Sequence, residues 1–219
     1  SEAIITKQEI QVENGHFTPE IMHRLGKVSD PQLSPNYGKI LYGVTYTSIE
    51  QNKGNRELFL MNADGSDNVK LTSSPKSESN ARWLNDSEII YMRSGKLYTA
   101  KVEGNALKNE KEITGAEGME SFELSPAGDK IMFIKPIKAA QKPTDAYPDL
   151  DKSSGRTYTD MMYRHWDHFV EEVPHTYVAS FDGAKVDGII DILAGDKANP
   201  ETEDKKFELP TLPFGGLSG

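Results

Sequence analysis

Three segments of the chain repeat one pattern of apolar and polar positions. Each has an apolar residue, then a tight polar turn, and then an apolar, β-rich run that ends on an aromatic side chain. The segments are residues 33–42, 83–91 and 124–133, and Ser34, Leu84 and Ser125 occupy matching positions 50 and 41 residues apart. Strand-built repeats of about 40 to 50 residues are typical of propeller blades. The chain is therefore predicted to be all-β, a partial β-propeller of about three to four four-stranded antiparallel blades.

The strand signals recur in the same order within each predicted blade. Asp64-Gly65 and Asp182-Gly183 follow a strand in the first and third blades, and Gly104-Asn105 takes that place in the second. Such pairs favour tight hairpins because they tolerate positive φ angles. The predicted strands are 40–46, 57–62 and 69–72, then 83–91, 96–102 and 112–114, and in the third blade, which starts at Ser125, 175–181 and 188–193.

The pattern also predicts how the chain is organised. Residues 1–30 form an N-terminal arm with a short helix, residues 31–193 form the blades, and residues 194–219 form a linker into a missing further blade. Within the third blade, residues 136–174 are an insertion. Three blades leave a sheet edge unpaired. We therefore expect either a piece of a larger protein or an edge-to-edge or swapped homo-oligomer.

Two helices are predicted outside the blade strands. Thr18 is a suitable N-cap, followed by Pro19 at the first helical position, and Gly26 is predicted to stop this helix in a left-handed conformation. In the second half of the insertion, Thr159 is predicted to cap a helix that ends before Pro174. Its apolar face would carry Met162, Trp166, Phe169 and Val170.

Composition narrows the function classes. The net charge of −9 argues against a general nucleic-acid binder, which needs a basic face to neutralise phosphates. No apolar run approaches the 18 or so residues that span a bilayer. Because the chain has 0 cysteines, a disulfide framework, a thiolate nucleophile and a cysteine zinc site are all excluded. Partners among nucleic acids or membranes are not expected.

Short motifs give the chain a family resemblance. They are the Ser-Pro-x-x-Gly-Lys turn at 34–39, the Ser-Pro-x-Gly-Asp-Lys turn at 125–130, and the inserted Ser-Gly-Arg at 154–156 and Met-Tyr-Arg-His-Trp-Asp at 162–167. Together they resemble the N-terminal β-propeller of the prolyl oligopeptidase family, nearest to its dipeptidyl-peptidase V and acylaminoacyl-peptidase branches. The resemblance covers about residues 18–193.

That resemblance implies a gating role. In the family, the propeller covers a C-terminal α/β-hydrolase domain with a Ser-Asp-His triad and restricts access to short peptides. Because no triad is present in this sequence, the chain alone is expected to be non-catalytic and to need no cofactor. Its expected partners are the hydrolase domain of the same protein and short peptides, in a periplasmic or secreted location. The alternative is a non-catalytic propeller, similar to TolB-like modules, that binds a protein or glycan.

The resemblance also suggests substrate-binding residues. Family members that release dipeptides hold the substrate's α-amino group with carboxylates, and an ammonium group favours charge-assisted acceptors. Glu171 and Glu172 are the adjacent acidic pair of the insertion, and the alternative for them is a solvated helix end. Arg164 would bind a peptide carbonyl or carboxylate, or pair within the helix. Trp166 completes the candidate set, with packing against the propeller as its alternative.

A metal site is the remaining candidate chemistry. His165, His168 and His175 cluster around the acidic pair, but their spacing matches no regular zinc motif. The sequence therefore predicts no metal site and no catalytic residue in this chain.

Overall fold

The computed structural model describes residues 4–138, 140–158, 164–165 and 168–194. Its first four-stranded sheet is an antiparallel meander in which neighbouring strands are consecutive in the chain. The strands are β1 (Lys27–Leu33), β2 (Lys39–Ser48), β3 (Lys53–Asn62) and β4 (Val69–Lys70). β2 and β3 pair over their full length, from Lys39 opposite Asn62 to Ser48 opposite Lys53.

The second sheet repeats this meander with β5 (Glu78–Asn85), β6 (Glu88–Arg93), β7 (Lys96–Glu103) and β8 (Ala106–Glu117). The single strand predicted over 83–91 was wrong, because a two-residue turn at 86–87 separates β5 from β6. β1 and β5 were not predicted as whole strands. Both are rich in polar residues, and each carries a register shift in its pairing that interrupts alternation.

The third sheet has the order β14-β13-β10-β9. Its strands are β9 (Ser121–Leu124), β10 (Lys130–Lys138), β13 (Glu172–Phe181) and β14 (Val186–Asp191). The described part of the insertion holds a one-turn helix, α2 (Pro143–Ala146), and a two-stranded pair, β11 (Arg164–His165) with β12 (His168–Phe169). Three four-stranded antiparallel sheets in the described residues confirm the predicted all-β class and its blade pattern.

The matching turns of the first and third sheets use the same hydrogen bonds. Ser34 N donates to Lys39 O at 2.8 Å and its Oγ accepts from Lys39 N at 2.9 Å. Ser125 N donates to Lys130 O at 3.0 Å, and Ser125 Oγ accepts from Lys130 N at 3.1 Å. The serine hydroxyl therefore closes each turn, which explains physically why Ser-Pro marks the start of the repeat.

The helix predicted in the insertion was wrong over its described part. Arg164 and His165 lie in β11, Phe169 lies in β12, and Pro174 lies inside β13 opposite Pro136 of β10. Nine residue pairs join β10 to β13, so ladder hydrogen bonding outweighs the helical spacing of a few apolar side chains. Thr159, Met162 and Trp166 of the predicted helix lie outside the described residues.

The predicted N-terminal helix is present as α1 (Pro19–Arg24). Thr18 is its N-cap, with Oγ1 accepting from Ile21 N at 3.3 Å, and Pro19 opens the helix. The predicted left-handed stop at Gly26 was wrong, because the cap residue Leu25 is extended and Gly26 has no positive φ. Glycine is required there for space, since a Cβ would lie 2.8 Å from both Tyr46 Cε1 and Val44 Cγ1. Among the described residues, neither α1 nor α2 has the length and apolarity of a membrane-crossing helix.

The described chain forms two compact units. One contains the first two sheets and residues 181–186, and the other contains residues 119–180 and the chain from residue 187. In the first unit, buried side chains of both sheets share one hydrophobic core, formed by Leu41, Leu58, Leu60, Ala81, Ile89, Tyr91, Ala100 and Val102. This core fixes the two sheets against each other through apolar contact.

Candidate functional site

The structure separates the four predicted substrate-binding residues in what it describes of them. Glu171 immediately precedes β13 and Glu172 is its first residue, so the pair begins a strand and does not end a helix. Arg164 is in β11, where it pairs with Phe169. Trp166 lies outside the described residues. The candidate site is therefore built around Glu171.

Two cations hold the Glu171 carboxylate. Arg156 Nε donates to Glu171 Oε1 at 2.7 Å, and Arg156 Nη2 donates to the same oxygen. Lys142 Nζ donates to the other oxygen, Oε2, at 2.7 Å. Paired Nε and Nη2 donors give Arg156 a defined orientation, whereas the lysine acts as a single point charge on a flexible stem.

Local packing sets the position of both cations. Residues 141 and 157 exchange backbone hydrogen bonds of 2.9 and 2.8 Å, which brings the strand-flanking segments of the insertion together. The Arg156 guanidinium lies 5.0 Å from the centre of the Phe169 ring, which stacks on Tyr158. Lys142 N donates to Asp145 Oδ2 at 2.7 Å and so caps α2. The insertion is thus a built element in its described part.

The electrostatics keep Glu171 ionised. Hydrogen bonds from Lys142 and then Arg156 hold its pKa below the ordinary glutamate value. One of the two donors, Lys142, carries a primary ammonium, which is the same chemical group as the α-amino group of a peptide. The Oε2 atom of Glu171 is therefore placed to accept from a primary ammonium, and an incoming amine would have to displace Lys142.

A buried histidine-aspartate pair is a second polar feature of the same unit. The His175 side chain is 1% exposed, and its Nδ1 lies 2.7 Å from Asp191 Oδ2. Asp191 Oδ1 also accepts from Leu193 N at 2.9 Å. Among the described residues, no three His, Cys, Asp or Glu side chains are grouped as metal ligands. Sequence reasoning missed Asp191, because the pairing depends on β14 returning beside β13.

A buried carboxyl pair in the first unit was also missed. Glu57 and Glu78 are both 0% exposed, and burial raises the pKa of Glu78 to about 7. Glu57 accepts hydrogen bonds from Thr72 Oγ1 at 2.7 Å, Asn55 Nδ2 at 3.0 Å and Ser74 N at 3.1 Å. The available signal was a glutamate at the start of the apolar run Leu-Phe-Leu at 58–60.

Curated proteins named dipeptidyl-peptidase 5 are homologous to most of this chain. It is 33% identical over 205 residues to the protein of Porphyromonas gingivalis, a match that covers 92% of this chain and 29% of that protein. It is 33% identical over 202 residues to the protein of Porphyromonas endodontalis, covering 90% of this chain and 28% of that protein. These homologues confirm the resemblance found in the sequence. The chain spans less than a third of the length of either relative.

Solved structures support the fold. The acylaminoacyl peptidase of Pyrococcus horikoshii in an orthorhombic crystal form matches with a TM-score of 0.55 and 15% identity, over 77% of this chain and 25% of that chain. An acylaminoacyl peptidase in complex with Z-Gly-Gly-Phe-chloromethyl ketone matches with a TM-score of 0.54, 15% identity and the same coverage. At these identities the likeness concerns the fold alone. No family model matches the chain.

Proposed function

We propose that this chain is the propeller region of a dipeptidyl- or acylaminoacyl-peptidase-like serine peptidase, where it admits and positions short peptides for an α/β-hydrolase domain. The observation that carries this proposal is the homology to dipeptidyl-peptidase 5 over 92% of the chain. In this role the chain contributes no nucleophile, base or oxyanion donor. The proposed location of the protein is periplasmic or secreted.

Within that function, we assign to Glu171 and Glu172 the binding of the substrate's α-amino group. Support comes from the contact between Glu171 and the Lys142 ammonium at 2.7 Å, which reproduces the interaction that a peptide amine would make. Displacement of Lys142 is inexpensive because its side chain is half exposed, and exposed ion pairs contribute about 0 to 1 kcal/mol. Arg156 would remain on Glu171 and keep the carboxylate oriented.

The first experiment tests the gate. The full-length natural protein that contains this chain is assayed with para-nitroanilides of dipeptides, of N-acylated amino acids, and of a peptide of about a dozen residues with the same terminal dipeptide. We expect serine-inhibitor-sensitive hydrolysis of the short reporters and little of the long one. The 219-residue chain alone should hydrolyse none of them. Equal turnover of short and long reporters, or turnover by the chain alone, would overturn the proposal.

The second experiment tests the acidic pair. In the full-length protein, Glu171→Ala with Glu172→Ala should raise the KM for reporters with a free amine by about tenfold or more and leave kcat nearly unchanged. N-acylated reporters should show no such rise, because they lack the ammonium group. A control with Glu13→Ala and Glu50→Ala makes the same charge change at exposed sites elsewhere. A rise in KM that is equal for acylated and free-amine reporters would remove the pair from this role.

A further inference from the structure

A charged cluster bridges the first and second sheets of the first unit. It consists of Asp30 on β1, Arg56 on β3 and Arg82 on β5, and is called here the two-arginine cluster. Asp30 Oδ2 accepts from Arg82 Nη1 at 2.8 Å and lies 3.7 Å from Arg56 Nη2. The side chains of Asp30, Arg56 and Arg82 are 25%, 20% and 18% exposed, so each retains access to solvent. The cluster carries one more positive charge than negative.

The backbone is shaped to present Asp30. The register of β1 against β2 shifts between Ser29 and Gln32, which is a β-bulge, and Asp30 within it has a φ of 52°. A non-glycine residue with positive φ is strained, and such residues and bulges are over-represented at functional sites. The bulge directs the carboxylate towards the two guanidinium groups, where Gln32 Nε2 also donates to Asp30 Oδ1 at 3.1 Å.

A glycine makes room for Arg56. A Cβ added to Gly43, in the middle of β2, would overlap Arg56 Nε and lie 2.6 Å from Arg56 Cζ. The guanidinium therefore lies flat against the β2 backbone. Glycine inside a strand weakens it and often marks a close approach. By the two-residue period of β3, Arg56 continues the row of Leu58 and Leu60, which are buried in the core shared by the two sheets.

Arg56 has more donors than acceptors in the described structure. Its Nε is buried and has no hydrogen-bond partner, and the ion pair with Asp30 is long. Burial is the main influence on Arg56 and lowers its pKa, with Asp30 opposing and Arg82 assisting that change. Because a guanidinium stays charged in proteins, the deficit is one of acceptors and of one negative charge.

We propose that the two-arginine cluster binds the carboxylate of a small ligand. A planar carboxylate matches the fork of a guanidinium and supplies two acceptor oxygens. Its single charge balances the excess of the cluster, whereas a phosphate dianion would exceed that charge and be repelled by Asp30. The proposal deepens the proposed function, on which the choice of a peptide ligand rests, by assigning to the cluster the C-terminal carboxylate of a short peptide.

Equilibrium binding to the wild-type protein gives the first test and needs no variant. N-acetyl-Ala-Ala is titrated against N-acetyl-Ala-Ala-amide by isothermal calorimetry at low salt, with inorganic phosphate as a competitor. The free acid should bind about tenfold or more tightly than the amide, because the amide cannot accept a charge-assisted pair. Equal affinities would overturn the proposal, and so would competition by phosphate at lower concentrations than acetate requires.

Variants then place the binding at the cluster. Arg56→Met should weaken binding of the acid about tenfold to a hundredfold, and Arg56→Lys should restore part of it. Gly43→Ala should act similarly by displacing the guanidinium, whereas Gly54→Ala, where the nearest atom is Thr45 Cγ2 at 3.3 Å, should not. Arg24→Met is the matched charge control on α1.

Wild-type affinity in both Arg56→Met and Gly43→Ala would refute the assignment. Circular dichroism melts of each variant show whether a loss reflects unfolding, and the acid-amide comparison stands regardless. Because binding is measured without hydrolysis, a protein that binds the acid through Arg56 but cleaves no peptide would refute the proposed function and leave this inference intact. A peptidase whose affinity ignores the carboxylate would do the reverse.

Discussion

Replacing Glu78 by glutamine should remove a pH dependence from the stability of the first two sheets. Glu78 begins β5 and is 0% exposed, and burial, reinforced by the Glu57 carboxylate, raises its pKa to about 7. Among the described residues, neither oxygen of Glu78 has a hydrogen-bond donor, and Arg93 Nη1 is 3.5 Å away. Arg93 Nη2 is bound to Glu110 at 2.5 Å. The neutral acid is therefore the favoured form in the folded protein.

The magnitude follows from linkage. In the unfolded chain Glu78 titrates near its ordinary value of 4.5, and in the folded chain near 7. Between these values the folded state holds one more proton, so stability falls as the pH rises, by about 1.4 kcal/mol per pH unit. The stabilising contribution is complete below pH 4.5 and is lost above about pH 7. From about pH 5 to about pH 8 the loss should be about 2.5 kcal/mol.

Urea unfolding at about pH 5, 6, 7 and 8 measures this loss. The chain has 2 tryptophans, so a Trp166→Phe background leaves Trp83 of β5 as the fluorescent reporter of the first unit. In that background, the difference in unfolding free energy between the protein with Glu78 and the Glu78→Gln variant should change by about 2.5 kcal/mol over this range, since other groups cancel. Glu103→Gln, at an exposed position of β7, should keep the original profile. If Glu78→Gln retains the full slope, the buried acid is not its source.

Two further changes test local packing and capping. Gly26→Ala should destabilise the protein by about 1 to 3 kcal/mol in urea unfolding, because its Cβ would overlap Tyr46 and Val44, while Gly155→Ala, with its nearest contact at 3.7 Å, should be nearly neutral; equal effects would remove the steric reason. Thr18→Ala should cost about 1 kcal/mol by the same measurement and Thr18→Asp much less, because the aspartate can still accept from Ile21 N; an equal loss in both would show that the cap does not matter.

The turns could be predicted from the sequence because their chemistry is local. Gly65 and Gly183 have φ angles of 87° and 89°, as the Asp-Gly pairs predicted, and Asp64 Oδ1 accepts from Ser66 N at 2.9 Å. Such geometry depends on a few neighbouring residues and little else. The same holds for the Thr18 cap. Non-local pairing was harder: the helical spacing in the insertion was overridden by the long ladder between β10 and β13.

The candidate sites show the same division. The acidic pair at Glu171 was visible in the sequence because the two residues are adjacent, but its partners Arg156 and Lys142 are 15 and 29 residues away and depend on the fold of the insertion. Asp191 meets His175 only because β13 and β14 are antiparallel neighbours. No local pattern encodes these distances, so sequence reasoning identified single residues without the contacts that determine their charge.

The two-arginine cluster illustrates how a repeated backbone becomes a particular site. β5 has the same bulge as β1: its register against β6 shifts between Ser79 and Arg82, and Asn80 has a φ of 49° where Asp30 has 52°. Asp30 and Asn80 are 50 positions apart, which is the spacing of the first two blade turns. The backbone is therefore repeated while the charges are not, since Asn80 replaces the acid and Arg82 replaces Gln32. Charge complementarity arises only between the two copies, so a site here requires adjacent blades that differ, and a perfect repeat would abolish it.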